Sequence, residues 1–177
     1  MKRFLVILLF ALISVSAIAQ EPIKFLGIPV DGTKKEMISK LKEKGYEYEE
    51  KHDFLSGEFN GTNVLISVTT VNNRVWRIAV IDADGTDETN IKIRFNNLFE
   101  QLSNNGKYKK VNGEKLKESD NISYEISVHK KRYEASFSPK DDSIIGLVWY
   151  LITEQYGQYR IGLFYENLAN AAKGDDL

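Results

Sequence analysis

The fold is decided between residues 63 and 106, which read NVLISVTTVNNRVWRIAVIDADGTDETNIKIRFNNLFEQLSNNG. The first half of this stretch predicts two strands, 63–71 and 74–82, and alternate residues of the first are apolar, as in a strand with one buried face. Asn72-Asn73 between them can take the positive φ of a tight hairpin turn. We therefore expect the two strands to pair antiparallel.

The second half of the stretch predicts a long amphipathic helix over 87–105. Residues 84–88, Asp-Gly-Thr-Asp-Glu, place capping groups and acids at its positive end, and Gly106 follows its last turn. The apolar residues recur at spacings of four, three, one and three: Ile91, Phe95, Leu98, Phe99 and Leu102. One face of this helix should pack on the strands.

Similar signals extend outward in both directions. Thr33 and Glu36 form a capping-box pattern that predicts a helix over 34–44, ended by Gly45. A first short strand is predicted between Pro22 and Pro29. Further strand-like runs lie at 46–51, 54–59, 107–112, 121–129, 132–138, 143–153 and 158–166.

These elements predict an α+β fold with an antiparallel sheet of about eight or nine strands and two helices on one face. Each half, 22–83 and 84–166, runs helix, Gly, Tyr-containing strand and then further strands, which suggests two tandem α-β4 units. An elaborated single unit is the alternative. We expect one domain over 20–166 and a flexible tail over 167–177.

This layout resembles two groups of proteins. The resemblance rests on an N-terminal leader over residues 1–19, the absence of cysteine, the glycines that end both predicted helices (Gly45, followed by Tyr46, and Gly106) and the strand order. The two groups are the beta-lactamase inhibitory protein family and the related small exported proteins of Bacteroidetes. The resemblance covers most of the chain after the leader. It implies a fold that works by presenting a sheet surface to a partner, without catalysis.

The first nineteen residues predict a cleaved signal peptide. Lys2 and Arg3 precede an apolar stretch over 4–13, and Ala17-Ile18-Ala19 offers the small side chains of a cleavage site. The apolar stretch is shorter than a bilayer span, and no later segment is long and apolar enough to cross a membrane. We therefore expect an exported protein, periplasmic or secreted. Because the chain has no cysteine, it has no lipid-attachment site.

Composition removes several classes of function. The chain has no cysteine, which excludes a disulfide framework and thiolate metal sites. Its 24 Lys plus Arg against 25 Asp plus Glu give no overall basic field for nucleic acid. His52 and His129 are the only imidazoles, and neither lies in a catalytic motif. We predict no cofactor and no catalytic residue.

One acidic turn could be a metal site. Asp82, Asp84, Asp87 and Glu88 surround a glycine, and clustered carboxylates are what calcium selects. The EF-hand spacing fails, because the twelfth position counted from Asp82 is Ile93. We favour a strand-to-helix turn whose acids complement the helix dipole.

A late hairpin carries the strongest signal for interaction. Residues 144–152 are apolar on both faces of the predicted strand, although helices on one side of a sheet can cover only one face. Large exposed apolar patches are often contact sites. The residues predicted for this surface are Trp149, Tyr150, Tyr159 and Tyr165. Burial of both faces at the centre of the sheet is the alternative.

These observations favour a non-enzymatic binding module that recognises a protein or peptide partner. A self-associating structural or envelope-maintenance protein, and hence a homo-oligomer, is a second hypothesis. A small hydrolase with an unrecognised acid site is the third.

Overall fold

The computed structural model describes residues 20–171, so the predicted leader and the residues after 171 lie outside the described part of the chain. In chain order the elements are β1 (Glu21–Pro22), β2 (Lys24–Phe25), β3 (Ile28–Pro29), α1 (Lys34–Glu43), β4 (Glu47–Glu49), β5 (Phe54–Phe59), β6 (Thr62–Val71), β7 (Arg74–Asp82), α2 (Glu88–Asn104), β8 (Tyr108–Asn112), α3 (Ile122–His129), β9 (Glu134–Pro139), β10 (Ile144–Ile145), β11 (Leu147–Gln155) and β12 (Gln158–Glu166). No helix between residues 20 and 171 is long and apolar enough to cross a membrane.

Eight strands form one antiparallel sheet in the order β4-β5-β6-β7-β12-β11-β9-β8. The first four follow α1 and the last four follow α2, so each half of the chain contributes a helix and four sheet strands. The last strands of the two halves, β7 and β12, pair at the centre, where Ala79 faces Phe164. The prediction of an α+β fold with an antiparallel sheet of eight or nine strands is confirmed.

Both long helices cover the same face of this sheet. Met37 and Leu41 of α1 are buried in the core, and the ring of Phe95 on α2 lies 4.7 Å from that of Tyr150 on β11. The predicted stripe of α2 is buried as a whole. Burial of each large apolar side chain contributes about 1.5–3 kcal/mol. On the sheet, these helices face a row of buried residues that are paired across neighbouring strands: Ile66, Val80, Leu163, Tyr150 and Ala135.

Local signals start α1 and α2 and end α1 as predicted, whereas α2 ends at Asn104 and Gly106 does not adopt a positive φ. The Thr33 side chain accepts a hydrogen bond from the Glu36 backbone N–H, and the Glu36 carboxylate accepts one from the Thr33 N–H, which completes the capping box. Asp87 caps α2 by accepting from the backbone N–H of Asn90. Gly45 follows α1 with φ of 96°, in the region that glycine adopts without strain.

The predicted strand over 121–129 is wrong, because this segment forms the helix α3. Apolar residues at every second position also lie four positions apart, so the same pattern fits one face of a strand and one face of a helix. Ile122 and Ile126 lie on the side of α3 that packs on the core, whereas Tyr124 and Val128 are 50% and 56% exposed. The Asn121 side chain caps the helix by accepting from the Tyr124 N–H.

The ends of the described chain pack together beside the sheet. The predicted first strand is instead a set of short pieces, of which β1 pairs parallel with β10. Gly146 separates β10 from β11, and a Cβ there would lie 2.6 Å from the Cβ of Ile23. Asn167, in the predicted flexible tail, is buried, and its side chain donates to the carbonyl of Val30 at 2.9 Å. At least this first part of the tail is held by the domain.

Candidate functional site

The four residues predicted for an interaction surface lie in three different places. Trp149 lies on the sheet face opposite the helices and is partly exposed. Tyr150 points the other way, is fully buried and donates its hydroxyl proton to the Phe95 carbonyl at 3.0 Å. Tyr159 is also buried, and Tyr165 lines a cleft on the helix side. Tyr150 and Tyr159 are therefore core residues and cannot form an exposed contact surface.

Around Trp149, the face of the sheet opposite the helices carries large apolar side chains. The Trp149 indole stacks on the Phe164 ring of the paired strand, with centroids 4.2 Å apart and planes 17° from parallel. Leu151, Ile81 and Leu65 are further partly exposed residues of this face. Within residues 20–171, no helix covers them. The apolar residues of β11 that face the helices therefore belong to the core, and those on its other side belong to this open face.

A cation lies beside these rings. The Arg77 guanidinium lies 4.0 Å from the centroid of the Trp76 ring and 5.4 Å from that of Phe164. Trp76 and Arg77 reach the same side because the pairing of β6 with β7 shifts register at this point, as in a β-bulge. We call Trp76, Arg77, Trp149 and Phe164 the outer aromatic cluster. It contains both tryptophans of the chain.

The guanidinium is held in place by a carboxylate from the neighbouring strand. Arg77 Nε donates to Glu166 Oε1 at 2.8 Å, and Arg77 Nη2 lies 2.6 Å from the same oxygen. The Glu166 side chain is only 9% exposed, whereas that of Arg77 is 30% exposed. The buried carboxylate of Glu166 therefore fixes the position of the partly exposed Arg77 guanidinium.

The other members of this cluster were missed by sequence reasoning. The signal that located Trp149 was the excess of apolar residues in one strand. Arg77, Trp76 and Phe164 join it only through the pairing of β7 with β12 and β12 with β11. The order of these three strands in the sheet cannot be predicted from the sequence of any one of them.

The acidic turn is held by hydrogen bonds. The buried Asp82 carboxylate accepts from Arg94 Nε at 2.7 Å and from the Ile161 N–H at 3.0 Å. Asp87 caps α2, and the Asn90 N–H that it accepts from lowers its pKa. Asp84 is exposed.

Glu88 is used in the same structural way. Burial raises the pKa of its carboxyl group, but hydrogen bonds from the Ile122 and Ser123 N–H groups and from Lys92 outweigh burial, and the pKa is lowered overall. Among residues 20–171 no group of three or more His, Asp or Glu residues is arranged to hold a metal ion. The turn therefore joins β7 to α2 and orients α3.

The two histidines lie apart on the surface. His129 Nδ1 lies 3.0 Å from Glu125 Oε2 on α3, one helical turn away. His52 lies in the turn after β4 and stacks on Phe54, with centroids 5.9 Å apart. Within residues 20–171, neither imidazole is hydrogen-bonded to a serine or threonine hydroxyl.

Comparison with known proteins finds no match to a family model, a curated protein or a solved structure. The resemblance to the beta-lactamase inhibitory protein family therefore stays a prediction.

Proposed function

We propose that this protein is an exported, non-enzymatic binding module that recognises a protein or peptide partner through the outer aromatic cluster. The observation that carries the proposal is the stacked pair of Trp149 and Phe164 on the sheet face opposite the helices. The predicted leader supports export.

The composition of the cluster supports a contact role. Tryptophan and arginine are the residues that most often dominate binding energy at protein interfaces. A partly exposed tryptophan on an open sheet face contributes little to the core, so its apolar area remains available for burial against a partner.

The rigidity of the cluster supports the same conclusion. Binding is weakened by the entropy lost when mobile side chains become ordered. Here Glu166 already holds the Arg77 guanidinium, and Phe164 already supports the indole of Trp149. A partner that covers this face would order few additional rotamers.

The test begins with capture of partners from periplasm and culture medium on the immobilised protein. Each captured protein is then purified, and its Kd is measured for wild type and for Trp149→Ala. We expect the substitution to weaken binding at least about tenfold, the effect of an interface hot spot.

Tyr124→Ala is the matched control, since it removes an exposed aromatic ring from α3, on the helix side of the sheet. Its Kd should stay within about threefold of the wild-type value. Both variants should unfold near the wild-type temperature, which separates contact loss from unfolding.

Sedimentation of the wild-type protein distinguishes the self-association hypothesis. A dimer that Trp149→Ala dissolves would replace the proposed hetero-partner with a second copy of this chain. If no captured partner and no self-association depends on Trp149, the proposal is wrong.

A further inference from the structure

A cleft of about 950 Å³ lies on the helix side of the sheet, away from the outer aromatic cluster. The N-terminal segment around Ile23 forms one wall, the C-terminal part of α2 forms another, and Leu163 and Tyr165 of β12 lie between them. A volume of this size can hold a drug-sized molecule or a long alkyl chain.

Two phenol groups provide hydrogen-bond donors at one end of this cleft. Within residues 20–171, the tyrosine hydroxyls that donate hydrogen bonds are those of Tyr46, Tyr48 and Tyr150. The hydroxyl protons of Tyr108 and Tyr165 therefore remain available to a ligand. Burial, and then the neighbouring Tyr108, raise the pKa of Tyr165, and burial raises that of Tyr108. Both hydroxyls therefore remain protonated at neutral pH and can donate to an acceptor.

Two lysines lie at the same end, where β8 begins and β9 ends. The Lys140 N–H donates to the Lys107 carbonyl at 2.8 Å, which places the two residues side by side. Neither ammonium belongs to an ion pair within residues 20–171. The nearby Asp141 carboxylate is engaged by the Ser143 N–H and hydroxyl. Adjacent like charges are unfavourable unless an anion offsets them.

The rest of the lining is mostly apolar. Leu98 and Leu102 come from α2, Phe59 comes from the end of β5, and Leu163 comes from β12. Asn60 and Gln101 join the two sides at the rim through a hydrogen bond of 2.8 Å. Glu58 also lines this part, whereas Lys24 is paired with Glu21 at 3.1 Å. An apolar ligand body would therefore contact mainly apolar side chains here.

We propose that this cleft binds an amphipathic carboxylate, with its head group beside Lys107, Lys140 and the phenols of Tyr108 and Tyr165. The apolar body of the ligand lies along Leu98, Leu102 and Phe59. This site is separate from the proposed protein-binding face and gives the chain a second, small-molecule ligand.

Calorimetric titration of the purified protein with dodecanoate tests the proposal. We expect micromolar binding, and octanoate should bind more weakly by about fourfold for each methylene removed, because each buried methylene contributes that factor. Dodecyltrimethylammonium has the same tail and the opposite charge, and should bind at least about tenfold more weakly than dodecanoate.

The variants separate the two ends of the site. Lys107→Ala combined with Lys140→Ala should weaken dodecanoate binding at least about tenfold. The control, Lys35→Ala combined with Lys42→Ala, removes the same charge from α1 and should leave the Kd unchanged. Gln101→Trp places a large ring at the rim and should abolish binding while the protein stays folded, since Gln101 is exposed.

Three results would overturn the proposal. The first is the absence of heat or thermal stabilisation with dodecanoate. The second is equal affinity for octanoate and dodecanoate, which would indicate an ion held at the surface. The third is a Kd for the Lys107 and Lys140 double variant equal to that of the α1 control.

Discussion

Substitution of Asp82 by alanine should destabilise the protein by about 3 kcal/mol. Asp82 is only 5% exposed, and its carboxylate accepts from two nitrogens of Arg94 and from the Ile161 N–H. Removing one partner of a buried ion pair costs about 3–5 kcal/mol, because the other charge is left without compensation. The Arg94 side chain is 19% exposed and keeps a hydrogen bond to Thr62 at 2.7 Å. We therefore expect a loss of stability at the lower end of this range.

Urea unfolding followed by tryptophan fluorescence measures this effect. With a denaturant slope of about 2 kcal/mol/M, the midpoint should fall by about 1.5 M. The matched control is Asp84→Ala, in the same turn, which is exposed and should change the stability by less than about 0.5 kcal/mol. A double-mutant cycle with Arg94→Ala should give a coupling energy of at least about 1 kcal/mol.

The outcome also decides between an ion pair and a metal ligand. If Asp82 acts through Arg94, calcium should leave the wild-type midpoint unchanged. A loss below about 1 kcal/mol for Asp82→Ala, or a calcium-dependent midpoint that the substitution removes, would refute the reasoning.

Three further outcomes are expected. Tyr150→Phe should destabilise the fold by about 1 kcal/mol in urea unfolding, because it removes the hydrogen bond to Phe95, yet leave partner binding unchanged. Val128→Ala should change stability by less than about 0.5 kcal/mol, since alanine favours the exposed helix α3; a large loss would indicate a strand. Asp87→Asn keeps the helix cap but not the charge. Because the hydrogen bond from the Asn90 N–H lowers the pKa of Asp87 on folding, the contribution of this charge is present above the ordinary pKa of an aspartate and is lost as pH falls through the folded value. Urea midpoints of wild type and Asp87→Asn should therefore converge on acidification.

Much of the fold was predictable because its signals are local. A capping box involves residues three apart, and an apolar stripe involves neighbouring turns of one helix, so α1 and α2 were predicted to within a residue or two. The hairpin turns are equally local: Asn72 and Asn73 adopt φ of 49° and 61°.

The error at α3 shows where this kind of prediction ends. Ile122 and Ile126 fit both an alternating strand and one side of a helix, so the apolar pattern does not decide between them, and the local signal for a helix is the capping residue Asn121. Contacts distant in sequence add to this cap, since Glu88 accepts hydrogen bonds from the first N–H groups of α3. A strand in this place would forgo that cap.

The candidate sites depend still more on tertiary structure. Alternation along one strand shows that Trp149 and Tyr150 point in opposite directions, but not which of them faces the helices. The position of α2 decides this, because the Phe95 carbonyl accepts the hydroxyl proton of Tyr150. Similarly, Lys107 and Lys140 become neighbours only when β8 pairs with β9.

Local spacing along the chain was sufficient for the class of fold, most of its helices and strands, and the unusual apolar content of the late hairpin. Periodicity and capping act between residues a few positions apart, so the unfolded chain already contains that information. The assembly of Arg77 with Trp149, the hydrogen bond from the Ile161 N–H to Asp82, and the cleft beside Tyr165 arise from the pairing of strands about eighty residues apart and from the face that α1 and α2 cover. Burial and long-range register decide these features, and no short segment of the sequence contains either.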